Sequence, residues 1–225
     1  MRNKFISWFF LMISLVVFSQ KDSLKIGDRY ADDQIYLSVS FSQFDNQPSS
    51  IKKSNFSYAL SGGFIKDIIL NRQGTISLAA GVGIGYDYFN HELKVDEINN
   101  NTVFSNGNAI SENVFKAYNL EFPLEFRWRT STAKEYNFWR VYSGVKFIYN
   151  LKNTFQYVDA DATVFKYSNV TDYNKLQYGL TLSAGYDEFN INIFYGLSPI
   201  FKNGTMNGEA VETKILKFGL IFYFL

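Results

Sequence analysis

His91 is the only histidine in the chain, and the carboxylates Asp87, Glu92 and Asp96 stand close to it in sequence. An imidazole beside a carboxylate can act as a general base, and at a barrel rim it could serve a hydrolase or acyltransferase. That chemistry also needs a nucleophile in a recognisable setting, and no nucleophile motif accompanies His91. Asp159, Asp161 and Asp172 offer the oxygen ligands that Ca²⁺ prefers. The stretch VDADATVF, residues 158–165, nevertheless lacks the glycine and the closing glutamate of a calcium loop. A solvated acidic loop is the expectation there. The chain has no cysteine, which excludes disulfides, thiolate metal clusters and thiol nucleophiles together. The expectation is a non-enzymatic protein with no cofactor and no metal.

The residues that demand a physical account lie elsewhere, in YNLEFPLEFRWR, residues 118–129. Leu120, Phe122, Leu124, Phe126 and Trp128 alternate with Glu121, Pro123, Glu125, Arg127 and Arg129. Neighbouring residues of a strand project to opposite faces, so a greasy stripe is backed by four charges. The stretch EYNFWRVYSGVKFIYNL, residues 135–151, repeats the arrangement with Arg140, Tyr142 and Lys146 opposite Trp139, Val141, Val145, Phe147, Tyr149 and Leu151. The acids of one strand are expected beside the bases of its hairpin partner. Glu121, Glu125, Arg127, Arg129, Arg140 and Lys146 then form one connected luminal network that plugs and rigidifies the interior. Charges in a tight interior require partners, since removing one costs the other about 3–5 kcal/mol.

The elements that position these residues follow from strict alternation. Segments of period two fall at about 34–44, 55–66, 75–89, 114–130, 137–151, 175–187, 190–201 and 212–224. An even number of such strands suits a closed antiparallel barrel. The less apolar face is small: Ser57, Ala59, Ser61 and Gly63 in the second segment, and Gly179, Thr181, Ser183 and Gly185 in the sixth. Small residues suit a narrow eight-stranded lumen, whereas a soluble barrel would carry lysine and glutamate on its outer face. Large apolar residues are therefore assigned to lipid. Tyr58, Tyr86, Tyr88, Trp128, Trp139, Tyr149, Tyr178 and Tyr186 gather near segment ends, where interfacial girdles belong. The glycines of SGG (61–63) and GVGIG (81–85) alternate along strands and precede no helix, so lumen packing explains them better than phosphate binding. The fold class is all-β: a closed antiparallel eight-stranded transmembrane β-barrel of outer-membrane type, with short periplasmic turns, longer extracellular loops and no open channel.

Arg2 and Lys4 precede the apolar run Phe5–Phe18, and Val17 and Ser19 set small residues before Gln20. This pattern predicts a cleaved signal peptide over 1–19, then a periplasmic N-terminal segment at 20–33 and the barrel at 34–225. Cleavage leaves 20 basic against 21 acidic residues, a net charge of −1. That balance gives no basis for nucleic-acid binding. The stretches 95–113 and 154–174 are polar and are expected as solvated loops. The alternating end FGLIFYFL suits a closing strand presented to the outer-membrane insertion machinery.

The hairpin 118–151, through LEFPLEFRWRTST and FWRVYSGVKFIY, resembles the PorT family, called SprT in gliding bacteria, which are small outer-membrane barrels of the Bacteroidota. The resemblance implies a non-enzymatic accessory role in type IX protein secretion, and in gliding motility where that machinery supports it. The implied partners are outer-membrane lipid and other type IX secretion components, and the resemblance supplies no catalytic residue. A small structural or adhesive barrel of the porin-like type stands as the alternative, with the two polar stretches as contact surfaces.

Overall fold

The computed structural model describes residues 33–51, 56–99, 101–107, 110–130 and 139–224. The expected signal peptide and nearly all of the 20–33 segment lie outside the described residues. The strands are β1 (Gln34–Asp45), β2 (Tyr58–Ile69), β3 (Ile76–Asn90), β4 (Leu93–Ile98), β5 (Asn101–Asn106), β6 (Ile110–Arg129) and β7 (Trp139–Asp159). They continue with β8 (Val164–Ser168), β9 (Leu176–Tyr186), β10 (Phe189–Gly196), β11 (Thr205–Met206), β12 (Glu209–Ala210) and β13 (Lys214–Phe224).

Eight of these, β1, β2, β3, β6, β7, β9, β10 and β13, pair antiparallel in sequence order. The ring closes where β1 meets β13, from Ile35 opposite Phe224 to Asp45 opposite Lys214. Closure leaves no strand edge within the membrane, the condition for crossing hydrocarbon with a sheet. The alternation sets which side faces what. Along β1 the odd-numbered Ile35, Leu37, Val39 and Phe41 are exposed while Tyr36, Ser38, Ser40 and Ser42 are buried. Leu120 is half-buried, and Phe122, Leu124, Phe126 and Trp128 are exposed on β6 between buried Glu121, Glu125, Arg127 and Arg129.

Two aromatic belts bound the lipid-facing band. Trp128, Trp139 and Tyr186 lie near the turn end, with Trp139 and Tyr186 ring centroids 5.6 Å apart. Tyr86 and Tyr118, 5.1 Å apart, and Tyr58 and Tyr88, also 5.1 Å apart, lie toward the loop end. From Tyr118 to Trp128 the strand advances about 33 Å, or about 25 Å along the normal at a tilt of about 40°, which matches an outer-membrane apolar band.

Above that band two strands continue. Tyr118 pairs with Lys152 but Asn119 pairs with Asn150, so Leu151 is an extra residue in β7. A bulge of this kind shifts the alternation by one. Below it Arg140, Tyr142, Ile148 and Asn150 are buried; above it Asn153, Phe155 and Tyr157 are. Beyond the bulge β6 and β7 stay paired above the aromatic belt, from Tyr118 opposite Lys152 to Glu112 opposite Val158. The hairpin β4–β5, the flanking β8 and the short pair β11–β12 surround this extension. Residues 95–113 and 154–174, expected as loops, thus contain much strand and cover a common core.

Two residues in the wall are set by steric need. Pro123 has no N–H, and the β3–β6 ladder skips from Ala80 opposite Leu124 to Gly83 opposite Glu121. Gly83 has no Cβ because Tyr36 crosses the lumen against it; a methyl there would collide with the Tyr36 hydroxyl.

Candidate functional site

The lumen is organised in layers from the turn end upward. At the lowest, Asp67 of β2 accepts from two guanidiniums. Arg127 Nη1 lies 2.8 Å from Asp67 Oδ1, and Arg129 Nη1 lies 2.5 Å from Asp67 Oδ2. Arg127 Nε also donates to Glu125 at 2.9 Å, and its guanidinium carbon lies 4.4 Å from the centre of the Tyr142 ring. Ser77 donates to Asp67 at 3.2 Å. Arg129 Nε donates at 2.8 Å to the carbonyl of Gly74, in the turn joining β2 to β3. Two carboxylates face two guanidiniums, so the layer is neutral, as burial of charge requires.

The middle layer is Glu121 with Lys146, 2.8 Å apart and set diagonally across the β6–β7 hairpin. Above it Lys217 of β13 lies 2.5 Å from Asp87 Oδ1. Asp87 Oδ2 accepts from Asn119 at 2.8 Å. A line of amides continues from there: Asn150 donates to Asn119 at 2.8 Å, and Asn153 donates to Asn150 at 3.0 Å. Asn153 Oδ1 then accepts from the backbone N–H of Val170 at 3.0 Å. This relay ties a luminal ion pair to the segment between β8 and β9.

The structure therefore distributes the six charged residues singled out from sequence differently from the expected cross-hairpin cluster. Glu121 and Lys146 do meet across the hairpin. Glu125 instead meets Arg127 on its own strand, because residues two apart share a face. Arg127 and Arg129 reach Asp67 of β2, on the far side of β3. Arg140 donates to the backbone carbonyl of Asp187 in the turn between β9 and β10. Asp67, Lys217 and the three asparagines are not singled out by sequence, and Asp87 enters there only as a carboxylate near His91. Their inward phase was readable, but register across non-adjacent strands was not.

The loop end is filled by apolar side chains. Phe44 stacks on Phe89 at 4.2 Å, Phe115 lies 5.7 Å beyond, and Phe155 stacks on Phe115 at 4.4 Å. Tyr173, Phe201, Phe104 and Ile200 complete a buried cluster over the barrel mouth. His91 sits within it, 3% exposed, with its ring edge-on to Phe44 and Phe155. Neither ring nitrogen has a hydrogen-bond partner among the described residues. Burial alone holds His91 neutral, lowering its pKa to about 3. The nearby carboxylates are engaged elsewhere: Asp87 with Lys217, and Asp96 with Lys94 at 3.1 Å and the Tyr157 hydroxyl at 2.5 Å. The imagined rim pair of His91 with a carboxylate is thus corrected to a buried, aromatic-packed imidazole. Asp159 Oδ1 accepts from the N–H groups of Asp161 and Thr163, and so closes its own turn. No group of three metal-ligating side chains occurs among the described residues.

An eight-stranded closed wall, aromatic belts spaced to a bilayer, outward apolar residues and inward charges define a transmembrane β-barrel of the outer-membrane kind. More particularly, residues 18–202 match the family described as outer membrane protein beta-barrel domain, and the chain belongs to that family. The protein is an outer-membrane protein. Among solved structures it is similar to Ail, the attachment invasion locus protein of Yersinia pestis. The identity is 15% and the TM-score 0.37, over 85% of this chain and 96% of that one. Ail in complex with the heparin analogue sucrose octasulfate is similar at 12% identity and TM-score 0.37, over 86% and 97%. A mutant of Rh. blastica porin is similar at 9% identity and TM-score 0.22, over 87% and 100%. No protein of curated function matches the chain.

Proposed function

We propose that this barrel is a non-enzymatic, non-conducting accessory component of type IX protein secretion, and of gliding motility where that machinery supports it, acting through contacts with partner proteins. The observation that carries the non-conducting part is the filled lumen. Arg127, Arg129, Tyr36, Tyr142 and Tyr223 are fully buried at one end, and Phe89, Phe115, Phe155 and Phe201 at the other. A lumen so occupied leaves the outer wall and the loop end to do the work. The secretion role rests on the resemblance of residues 118–151 to PorT. The test is a deletion strain, assayed for cargo with C-terminal sorting domains in the medium. Retention of cargo, restored by the full-length gene, is the expected result; unchanged export would end this reading.

The adhesive alternative draws support from the loop end. Ile98 and Val103 on the β4–β5 hairpin and Val164 on β8 are exposed above a rigid apolar core. Replacing all three by serine would weaken surface attachment under that reading and leave cargo export unchanged.

A further inference from the structure

The lipid-facing wall carries an open groove of about 740 Å³ in the half toward the loops. Leu37 and Val39 of β1, Leu60 of β2, Ile84 and Tyr86 of β3 and Tyr118 of β6 line it, with Gly62 among them. Gly62 points outward between Leu37 and Ile84, its partners in the ladders, and supplies no side chain there. Leu37 Cδ2 leans over Gly62, 2.8 Å from where a Cβ would stand, so a larger residue there would push the Leu37 side chain aside into the groove.

Two lysines crown the Tyr118 end. Lys152 lies opposite Tyr118 in the β6–β7 ladder and is exposed. The bulge at Leu151 is what turns it outward, since without the extra residue position 152 would face the lumen. Lys116 lies two residues above Tyr118 on the same face of β6, opposite Tyr88, with its ammonium 5.8 Å from the Tyr88 ring centre. Neither lysine has an ion pair among the described residues; Glu112 stands four residues higher on β6. Two ammonium groups at the headgroup level, directly over an apolar groove and with Glu112 the acid nearest along β6, match an amphiphile whose head is anionic and whose tail is a hydrocarbon chain. The loop end faces the outer leaflet.

We propose that this groove holds one phosphorylated, multiply acylated lipid of the outer leaflet. An acyl chain lies along Gly62 between Leu37 and Ile84, and a headgroup phosphate is bound by Lys116 and Lys152. Lysine serves here as a point charge for phosphate. The tyrosine hydroxyls of Tyr86 and Tyr118 stand at the level where chain gives way to head.

The test uses the full barrel folded into detergent micelles, titrated with diphosphoryl lipid A or with phosphatidylcholine and examined by native mass spectrometry. A single lipid A adduct persisting at activation energies that strip phosphatidylcholine is expected. Lys116→Gln with Lys152→Gln should lower lipid A retention at least tenfold, to the phosphatidylcholine level. Gly62→Leu should lower retention while leaving both lysines in place. All positions face lipid or solvent, so folding is checked by the heat-dependent mobility shift on gels. Equal retention by wild type and the double lysine variant would overturn the assignment. So would lipid A binding no better than phosphatidylcholine, indifference to Gly62→Leu, or occupation of this face by a second copy of the chain.

Discussion

Arg127 and Asp67, on strands separated by β3, meet at 2.8 Å with both side chains wholly out of solvent. The same carboxylate holds Arg129. One carboxylate thus neutralises part of two buried guanidiniums, and Glu125 supplies the balance. Asp67→Ala strands both arginines and should destabilise the barrel by about 3–5 kcal/mol, the cost of breaking a buried pair on one side. Urea unfolding followed by tryptophan fluorescence measures this. A loss under about 1 kcal/mol, the range of surface pairs, would show that water reaches the layer.

The pair Lys217 and Asp87 offers a double-mutant cycle. Lys217→Met alone leaves the Asp87 carboxylate with the Asn119 amide as its remaining described partner. It should cost about 3–5 kcal/mol. Adding Asp87→Asn removes the stranded charge and should restore a large part of that loss, because a buried pair replaced as a unit is far less costly than one broken. Additive losses would mean that the two side chains do not interact in the folded barrel.

Sequence alone reveals much of this architecture for a definite reason. Period-two alternation is a local property, so Leu120 to Trp128 and Ile35 to Phe41 disclose their orientation without knowledge of their neighbours. Pairing is non-local. Nothing near Asp67 indicates that Arg127 and Arg129 lie across β3 from it, and the alternating segment at about 55–66 ends one residue before it. Alternation puts Glu125 and Arg127 on one face but does not decide between pairing along the strand and pairing across the hairpin. The upper part of β7, beyond the segment read to about 151, is hidden by the extra residue at Leu151. Past it the inward set of β7 changes from even to odd numbers, which breaks the period-two stripe. The polar sequence neighbours of His91 make a rim pair geometrically possible without a nucleophile motif to support it; its spatial neighbours are Phe44 and Phe155.

His91 makes the loop-end core sensitive to acid. An exposed imidazole titrates near 6.5, whereas burial lowers the folded-state value to about 3. Between these values the unfolded chain binds the proton and the folded chain does not, so stability falls as pH falls from 6.5 toward 3. The slope contributed is about 1.4 kcal/mol per pH unit. His91→Phe removes it. Unfolding at pH 7 and pH 5 should therefore show a smaller loss in the variant, by about 2 kcal/mol. Identical pH dependence would place His91 in contact with water in the native state.

The layered lumen predicts a protein sealed at several independent levels. Reconstituted in planar bilayers, the wild type should give no conductance steps above background, since eight strands enclose only enough space for their own side chains. Removing one ion pair tests the independence: Glu121→Ala with Lys146→Ala empties the middle layer but leaves Phe44, Phe89, Phe115 and Phe155 stacked across the loop end. This variant should stay closed. Phe115→Ala with Phe155→Ala opens the aromatic barrier while the Asp67, Glu125, Arg127 and Arg129 layer persists, so it too should stay closed. Combining all four substitutions still leaves the Asp67, Glu125, Arg127 and Arg129 layer across the turn end, so this variant should stay closed as well, and discrete steps from it would show that the lowest layer does not seal. Conductance in either double variant alone would show that a single layer makes the seal.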